Sequence, residues 1–447
     1  MYRFVMMVMT VFVLASLFPA KTEAQLHPIS VSPHTGILLT PGTNEPSVWG
    51  RNTFAGTVPP IATSMLGVAS SPGNSFGVWP FPVFPDTWPG GEAISVLAME
   101  AGVCAVREDL TLWCVGQLRR SNLPSPDTII VDWGGSWTQV DVGDNLSVRS
   151  IATSFGTLCA TATVPGDLDD ASVWCMGNGL HNGLPGATDS TTMQELTLPT
   201  GGLFTRPVEI HGNGGSGGSG RFCVVSYVGE EIPASYLYGD LFCWGNTQGL
   251  GFGEGAPQTY ETPTKTPAPK AVVDLTIGRS MSCVISVGGT IYCTGLNNYG
   301  ELGDGTTASS RDWEENVLVN DVGTIKDMAA GQNFVCALNT DDEVWCMGFN
   351  GHGELGNGSF EDETDEYVQV VVASPGLADF TALDEISAAA NHICAYGYSP
   401  YGSAARCWGQ SWQAGELGNG YVGGNSANQN MPQCQAPEWW AVGSLCN

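Results

Sequence analysis

Basic charge is what this chain of 447 residues has least of: Lys and Arg number 15 against 44 Asp and Glu, a net charge of −29. Such a surface repels phosphate backbones and anionic lipid, which excludes a nucleic-acid partner. Histidine is scarce as well. The six residues His27, His34, His181, His211, His352 and His392 form no His-Glu-x-x-His motif, and no two are spaced as ligands on one element. Long apolar runs are missing beyond the N-terminus, which excludes membrane insertion by the body of the chain. Uninterrupted helix-forming windows are missing too, because 59 Gly and 27 Pro break nearly all of them. A helical bundle is thereby excluded, and many short strands joined by tight turns are expected. The 14 Trp, 16 Phe and 12 Tyr argue against a disordered chain.

Residues 1–24 read as a signal peptide. Arg3 precedes an apolar run from Phe4 to Phe18, and Thr22-Glu23-Ala24 gives small residues at the outer positions of a cleavage site before Gln25. The alternative is an N-terminal anchor, for which the run falls short of the roughly 20 residues that span a bilayer. Removal leaves 13 basic and 43 acidic residues. A cationic protein, a cationic surface or divalent ions then suit the surface. The plainer reading is solubility.

What the chain does have is an internal repeat. Ile277-Gly278, Ser282-Cys283-Val284-Ile285, Ile291-Tyr292-Cys293-Thr294-Gly295 and Gly300-Glu301-Leu302-Gly303-Asp304-Gly305 follow in order. The order recurs from Ala330-Gly331 through Cys336 and Cys346 to Gly353-Glu354-Leu355-Gly356, and again through Cys394, Cys407-Trp408-Gly409 and Gly415-Glu416-Leu417-Gly418. Weaker copies hold Cys104 and Cys114, Cys159 and Cys175, and Cys223 and Cys243, with Gly249-Leu250-Gly251 as a remnant of the loop. A cysteine-free copy opens the chain, with Gly36 and Val48 read at the cysteine positions and His34 matched to His392. Apolar runs such as Val272–Ile277, broken by Gly and Asp/Asn clusters, are strand chemistry. Leu302, Leu355 and Leu417 are expected to anchor each loop in the core. Gly278, Gly331, Gly303 and Gly356 are expected to serve positive φ or close backbone approach.

These residues resemble the regulator-of-chromosome-condensation (RCC1-like) repeat family, over about residues 28–430 and most specifically in the last three copies. The resemblance implies an all-β fold, a seven-bladed β-propeller. The chain then divides into the leader (1–24) and one propeller domain (25–447). Its repeats fall near 28–92, 93–146, 147–205, 206–270, 271–322, 323–382 and 383–433, with a tail at 434–447. Ile29–Val31 is expected to complete a blade with C-terminal strands around Trp439–Val442.

The 14 cysteines are even in number. One pair per hairpin is the simplest solution: Cys104–Cys114, Cys159–Cys175, Cys223–Cys243, Cys283–Cys293, Cys336–Cys346 and Cys394–Cys407, with Cys434–Cys446 stapling the tail. Zinc ligation and reduced thiols are the alternatives, and no spacing here matches Cys-x2–4-Cys.

Other features are weighed against plainer readings. Gly214-Gly215-Ser216-Gly217-Gly218 fits a nucleophile pattern but lacks a following helix. Glu361-Asp362-Glu363-Thr364-Asp365-Glu366 offers carboxylates to calcium or is a solvated loop. The proline-stiffened insertion Trp79–Pro89, with Trp79, Phe81, Phe84 and Trp88, is a binding loop or a packing lid. Asn145 and Asn357 head glycosylation sequons, the latter in a tight loop. No catalytic, cofactor or metal constellation emerges. The expected function is a secreted, monomeric, non-enzymatic module binding a protein or cell-surface ligand. Guanine-nucleotide exchange on a small GTPase is a family activity, which export and disulfides oppose. An extracellular enzyme, or an enzyme inhibitor such as the family's secreted inhibitors of β-lactamases, is the remaining alternative.

Overall fold

Short apolar runs bounded by Gly and Asp turns give each repeat a hairpin whose second strand is buried along nearly all its length, and each hairpin extends into a four-stranded antiparallel meander. The computed structural model describes residues 27–32, 35–39, 44–51, 78–83, 88–119, 129–143, 145–186, 188–197, 204, 207–213, 220–226, 239–269, 272–286, 289–370, 380–399, 402–410, 417 and 429–434. Seven sheets span 29–83, 93–140, 147–195, 207–265, 272–315, 325–369 and 382–434, each pairing its strands in chain order. They are blades 1 to 7 of a β-propeller. One cavity is lined by residues of the first strand of every blade, so these strands surround the central channel.

Second and third strands of blades 2–7 set two cysteines directly opposite each other, as in Cys283↔Cys293 and Cys336↔Cys346. All six blade pairs are disulfides with Cα–Cα distances of 4.0–4.1 Å. They enclose separations of 10, 16, 20, 10, 10 and 13 residues, so chain entropy assigns each about 3 kcal/mol. In blade 1 the register corrects the sequence reading by one residue. Ile37 faces Val48 in the cysteine position and Gly36 faces Trp49. A Cβ on Gly36 would lie 2.1 Å from the Trp49 ring, so glycine is needed to seat that indole. The residue matching His392 is likewise Thr35, not His34: both pair with the glycine one residue past the third-strand tryptophan, Gly409 and Gly50. His34 lies outside the described residues.

Blades are joined by two recurring devices. In the first, side-chain oxygens on one first strand accept a backbone N–H from the next. Ser30 accepts from Ala98 (3.0 Å), Ser150 from Ile210 (3.3 Å), Thr276 from Ala330 (3.0 Å) and Asp327 from Ile386 (2.7 Å). Second, the tryptophan after the third-strand cysteine reaches into the preceding blade. Trp244 donates from Nε1 to His181 O and Trp408 to Glu354 O, each at 2.9 Å. Gly356, at φ 61°, makes room: a Cβ there would sit 2.6 Å from the Trp408 indole nitrogen.

The same devices close the ring. Ser387 Oγ of blade 7 accepts from Val31 N of blade 1, and Trp49 packs with Ala389, Cys394 and Leu417 of blade 7. Ile29–Val31 pairs with Thr35–Leu39 inside its own blade. The expected strand exchange with the C-terminus is therefore replaced by face-to-face packing of two complete sheets. Residues 439–442 lie outside the described residues.

Candidate functional site

Loops between third and fourth strands are built from one self-satisfied cassette. In blade 5, Asn297 accepts from Leu302 N–H at 2.9 Å and donates to Thr306 O and Ala308 O. Glu301 Oε2 accepts from Tyr299 N–H at 2.8 Å. Asn350, Leu355, Glu354 and His352 repeat these contacts in blade 6. Asn182 gives a shorter version in blade 3. Leu250, Leu302, Leu355 and Leu417 are fully buried, as core anchors must be. Burial pushes the Glu301 carboxyl up to about 7, against two backbone hydrogen bonds that favour its charge. These rigid loops hold Tyr299, Phe349 and His352 in an edge-to-face row, with centroids 5.1 and 5.5 Å apart.

Acidic side chains dominate the neighbouring outer edge. Glu254 and Glu261 of blade 4, Asp312 and Glu315 of blade 5, and Glu361 and Asp362 of blade 6 are exposed. The run read as an acidic loop is only partly one. Glu363–Gln369 forms the fourth strand of blade 6, and Asp362 Oδ1 accepts from Asn350 N–H at 2.7 Å.

The channel holds a second polar cluster. Its cavity of about 150 Å³ is lined by His27, His211, Glu385 and Arg279 among others. Each first strand of blades 4 to 7 carries an acid two residues before the cysteine level, directly after a bulge: Glu209, Asp274, Asp327 and Glu385. His27 Nδ1 lies 2.9 Å from Glu385 Oε1, and its Nε2 lies 3.8 Å from Glu209 Oε1. His211 Nε2 lies 3.2 Å from the same Glu209 oxygen. Beyond the strand ends, Arg279 donates to Gln332 Oε1 at 2.6 Å, and Arg221 donates to the Arg279 carbonyl. Burial, then the Arg279 charge, holds the Arg221 guanidinium down to about 9. This cluster was not found from sequence. The signal was present in Glu209-x-His211, which share one strand face, and in the acids at matched repeat positions.

Other sequence-derived candidates are scattered. Trp79 and Phe81 lie in the fourth strand of blade 1, Val78–Val83, and Phe84 lies outside the described residues. Trp88 is half-buried, meets Trp137 edge-on at 4.9 Å and donates to Gly91 O, so it packs. Asn145 is exposed. The Asn357 carbonyl accepts from Ser359 N, Ser359 Oγ and Asn350 Nδ2, which ties the carboxamide into its turn. Residues 1–24, Ser216 and Cys446 lie outside the described residues. Cys434 ends the fourth strand of blade 7.

Known proteins match at two levels. Residues 325–354, from the first strand of blade 6 into its loop, match the regulator of chromosome condensation (RCC1) repeat. The X-linked retinitis pigmentosa GTPase regulator of dog is 32% identical over 139 residues, covering 30% of this chain and 14% of that protein. The human protein of that name is 32% identical over 121 residues, covering 27% of this chain and 12% of its own. The chain thus spans about a seventh of the length of these relatives. Among solved structures, Prp20p of Saccharomyces cerevisiae, described with its binding to Gsp1p and histones, has a TM-score of 0.62 at 14% identity. It covers 93% of this chain and 88% of its own. Human WBSCR16 has a TM-score of 0.61 at 16% identity, covering 84% and 88%. At these identities the structures speak for the fold alone. With a matching repeat in blade 6 and the same cysteine, tryptophan and loop devices recurring around the ring, the chain is built of RCC1-like repeats.

Proposed function

We propose that this chain is a secreted, non-enzymatic binding module that recognises a cationic protein or cationic cell-surface ligand. The observation that carries this reading is the run of exposed carboxylates along three successive blades, borne on the fourth strands (Glu261, Asp312, Glu315) and on the segments that lead into them (Glu254, Glu361, Asp362), so that the sheet pre-organises much of the charge. Export is supported by the leader pattern of residues 1–24 and by six disulfides, which persist in oxidising compartments. The test cross-links the oxidised protein to partners in extracellular fluid of its source, beside a triple variant Glu254→Gln, Glu315→Gln, Glu361→Gln. A basic partner captured by the parent, lost with rising salt and lost in the variant is the expected result. Equal capture by both proteins overturns the acidic face.

A second reading, regulation of a small GTPase, is favoured by the names of the relatives that share about a third of their aligned residues. The disulfides weigh against it, since the cytosol keeps thiols reduced. Accelerated nucleotide release from a GTPase in a cytosolic extract would put this reading in first place.

A further inference from the structure

Glu209, His211 and Asp274 present ligand atoms that all lie within 4.8 Å of one another. We propose that these three form a binding site for one divalent transition-metal ion of the zinc class, and that His27, whose Nε2 stands 3.8 Å from the Glu209 oxygen, moves in to complete it. Two imidazole nitrogens and two carboxylates are the donor set that such ions prefer over calcium or magnesium. One separation already matches such a site. In a tetrahedral site with bonds near 2.0–2.2 Å, neighbouring donors stand roughly 3.3 Å apart. Glu209 Oε1 and His211 Nε2 are 3.2 Å apart, and His27 Nε2 is 3.8 Å from that oxygen.

Two further observations point the same way. The His211 Nε2 atom is buried, and although it faces Glu209 it makes no hydrogen bond. The opposite nitrogen of His27 is held by Glu385 Oε1 at 2.9 Å. A carboxylate on Nδ1–H fixes the tautomer that leaves Nε2 as a lone-pair donor, the usual outer partner of a metal-bound histidine. The competing arrangement is plain ion pairing of protonated imidazoles with the same carboxylates. The two differ in what they do to the ring. Donors come from blade 4 (Glu209, His211), blade 5 (Asp274) and the residue ahead of the blade 1 strand (His27), whose own support is in blade 7 (Glu385). A metal ion there braces the channel between blades 4 and 5 and the closure between blades 1 and 7.

The test is calorimetric titration of the chelator-stripped, full-length protein with Zn²⁺, with millimolar Ca²⁺ present to occupy surface carboxylates. Co²⁺ serves as the spectroscopic probe. One equivalent of Zn²⁺ is expected, with a tetrahedral Co²⁺ visible spectrum. His211→Gln should weaken Zn²⁺ binding at least a hundredfold, and Glu385→Gln by roughly 10–100-fold through His27. Glu108→Gln, at an exposed turn of blade 2, should leave it unchanged. Circular dichroism checks that each variant folds, and His27→Gln replaces His211→Gln if the latter does not. No saturable binding, binding abolished by Ca²⁺, or equal affinity in the histidine variants overturns the site.

Discussion

Replacing Trp49 by Ala tests how the ring closes. The indole is fully buried and belongs to blade 1, yet it packs with Ala389, Cys394 and Leu417 of blade 7. Burying an indole removes about 150–250 Å² from water, worth about 4–6 kcal/mol at 25 cal/mol per Å². Ala keeps the Cβ buried and the surroundings relax in part, which sets the expected cost of Trp49→Ala at about 3–5 kcal/mol. Trp244→Ala removes the same device between blades 3 and 4, which are consecutive in the chain. Both variants should therefore lose similar global stability in urea. They should differ in hydrogen exchange well below the unfolding midpoint. Only Trp49→Ala lets blades 1 and 7 separate, so amides in Thr35–Leu39 and His392–Ser399 should exchange faster by two orders of magnitude or more. Unchanged protection there, with full protection of the C-terminal strand, would refute closure by packing.

Glu301 and His181 give opposing pH dependences. The Glu301 carboxyl is raised from 4.5 to about 7 by burial, so the folded chain holds a proton that the unfolded chain gives up. Its contribution is full below pH 4.5 and lost as pH rises through 7, by up to about 3 kcal/mol. Glu301→Gln should accordingly gain stability over the parent at pH 8 and not at pH 4, measured by urea midpoints. Burial holds His181 down from 6.5 to about 4, so its contribution is present above pH 6.5 and lost as pH falls through 4. His181→Gln should flatten the acid limb of the same curve. Replacing Cys336 and Cys346 together by Ser should cost about 3 kcal/mol in chemical denaturation without changing the partner bound. Leu355→Ala, at a fully buried anchor, should cost about 2–5 kcal/mol and loosen the blade 6 loop to proteolysis.

Within a blade, much of this was legible. Apolar runs, the Gly and Asp/Asn clusters between them and two cysteines fix a hairpin register locally, and the Gly-x-Leu-Gly leucines are buried as expected. Blade 1 misled by one residue because, without cysteines, Gly36 looked like a lost cysteine when it is the floor beneath Trp49. Closure was misread because packing between residues hundreds of positions apart leaves no local pattern. The Glu363–Gln369 strand was hidden by its charge: an outer strand with one exposed face tolerates acids that read as loop. The channel cluster was missed for the same non-local reason, each donor being unremarkable on its own strand.

The most direct test of the account as a whole is the intact mass of the chain recovered from its source after alkylation under denaturing, non-reducing conditions. The account predicts an extracellular chain beginning at Gln25 with none of the twelve cysteines of the six blade disulfides alkylated. A cytosolic chain that keeps residues 1–24 and takes up alkylating agent at those cysteines would contradict it, and would return the GTPase reading to first place.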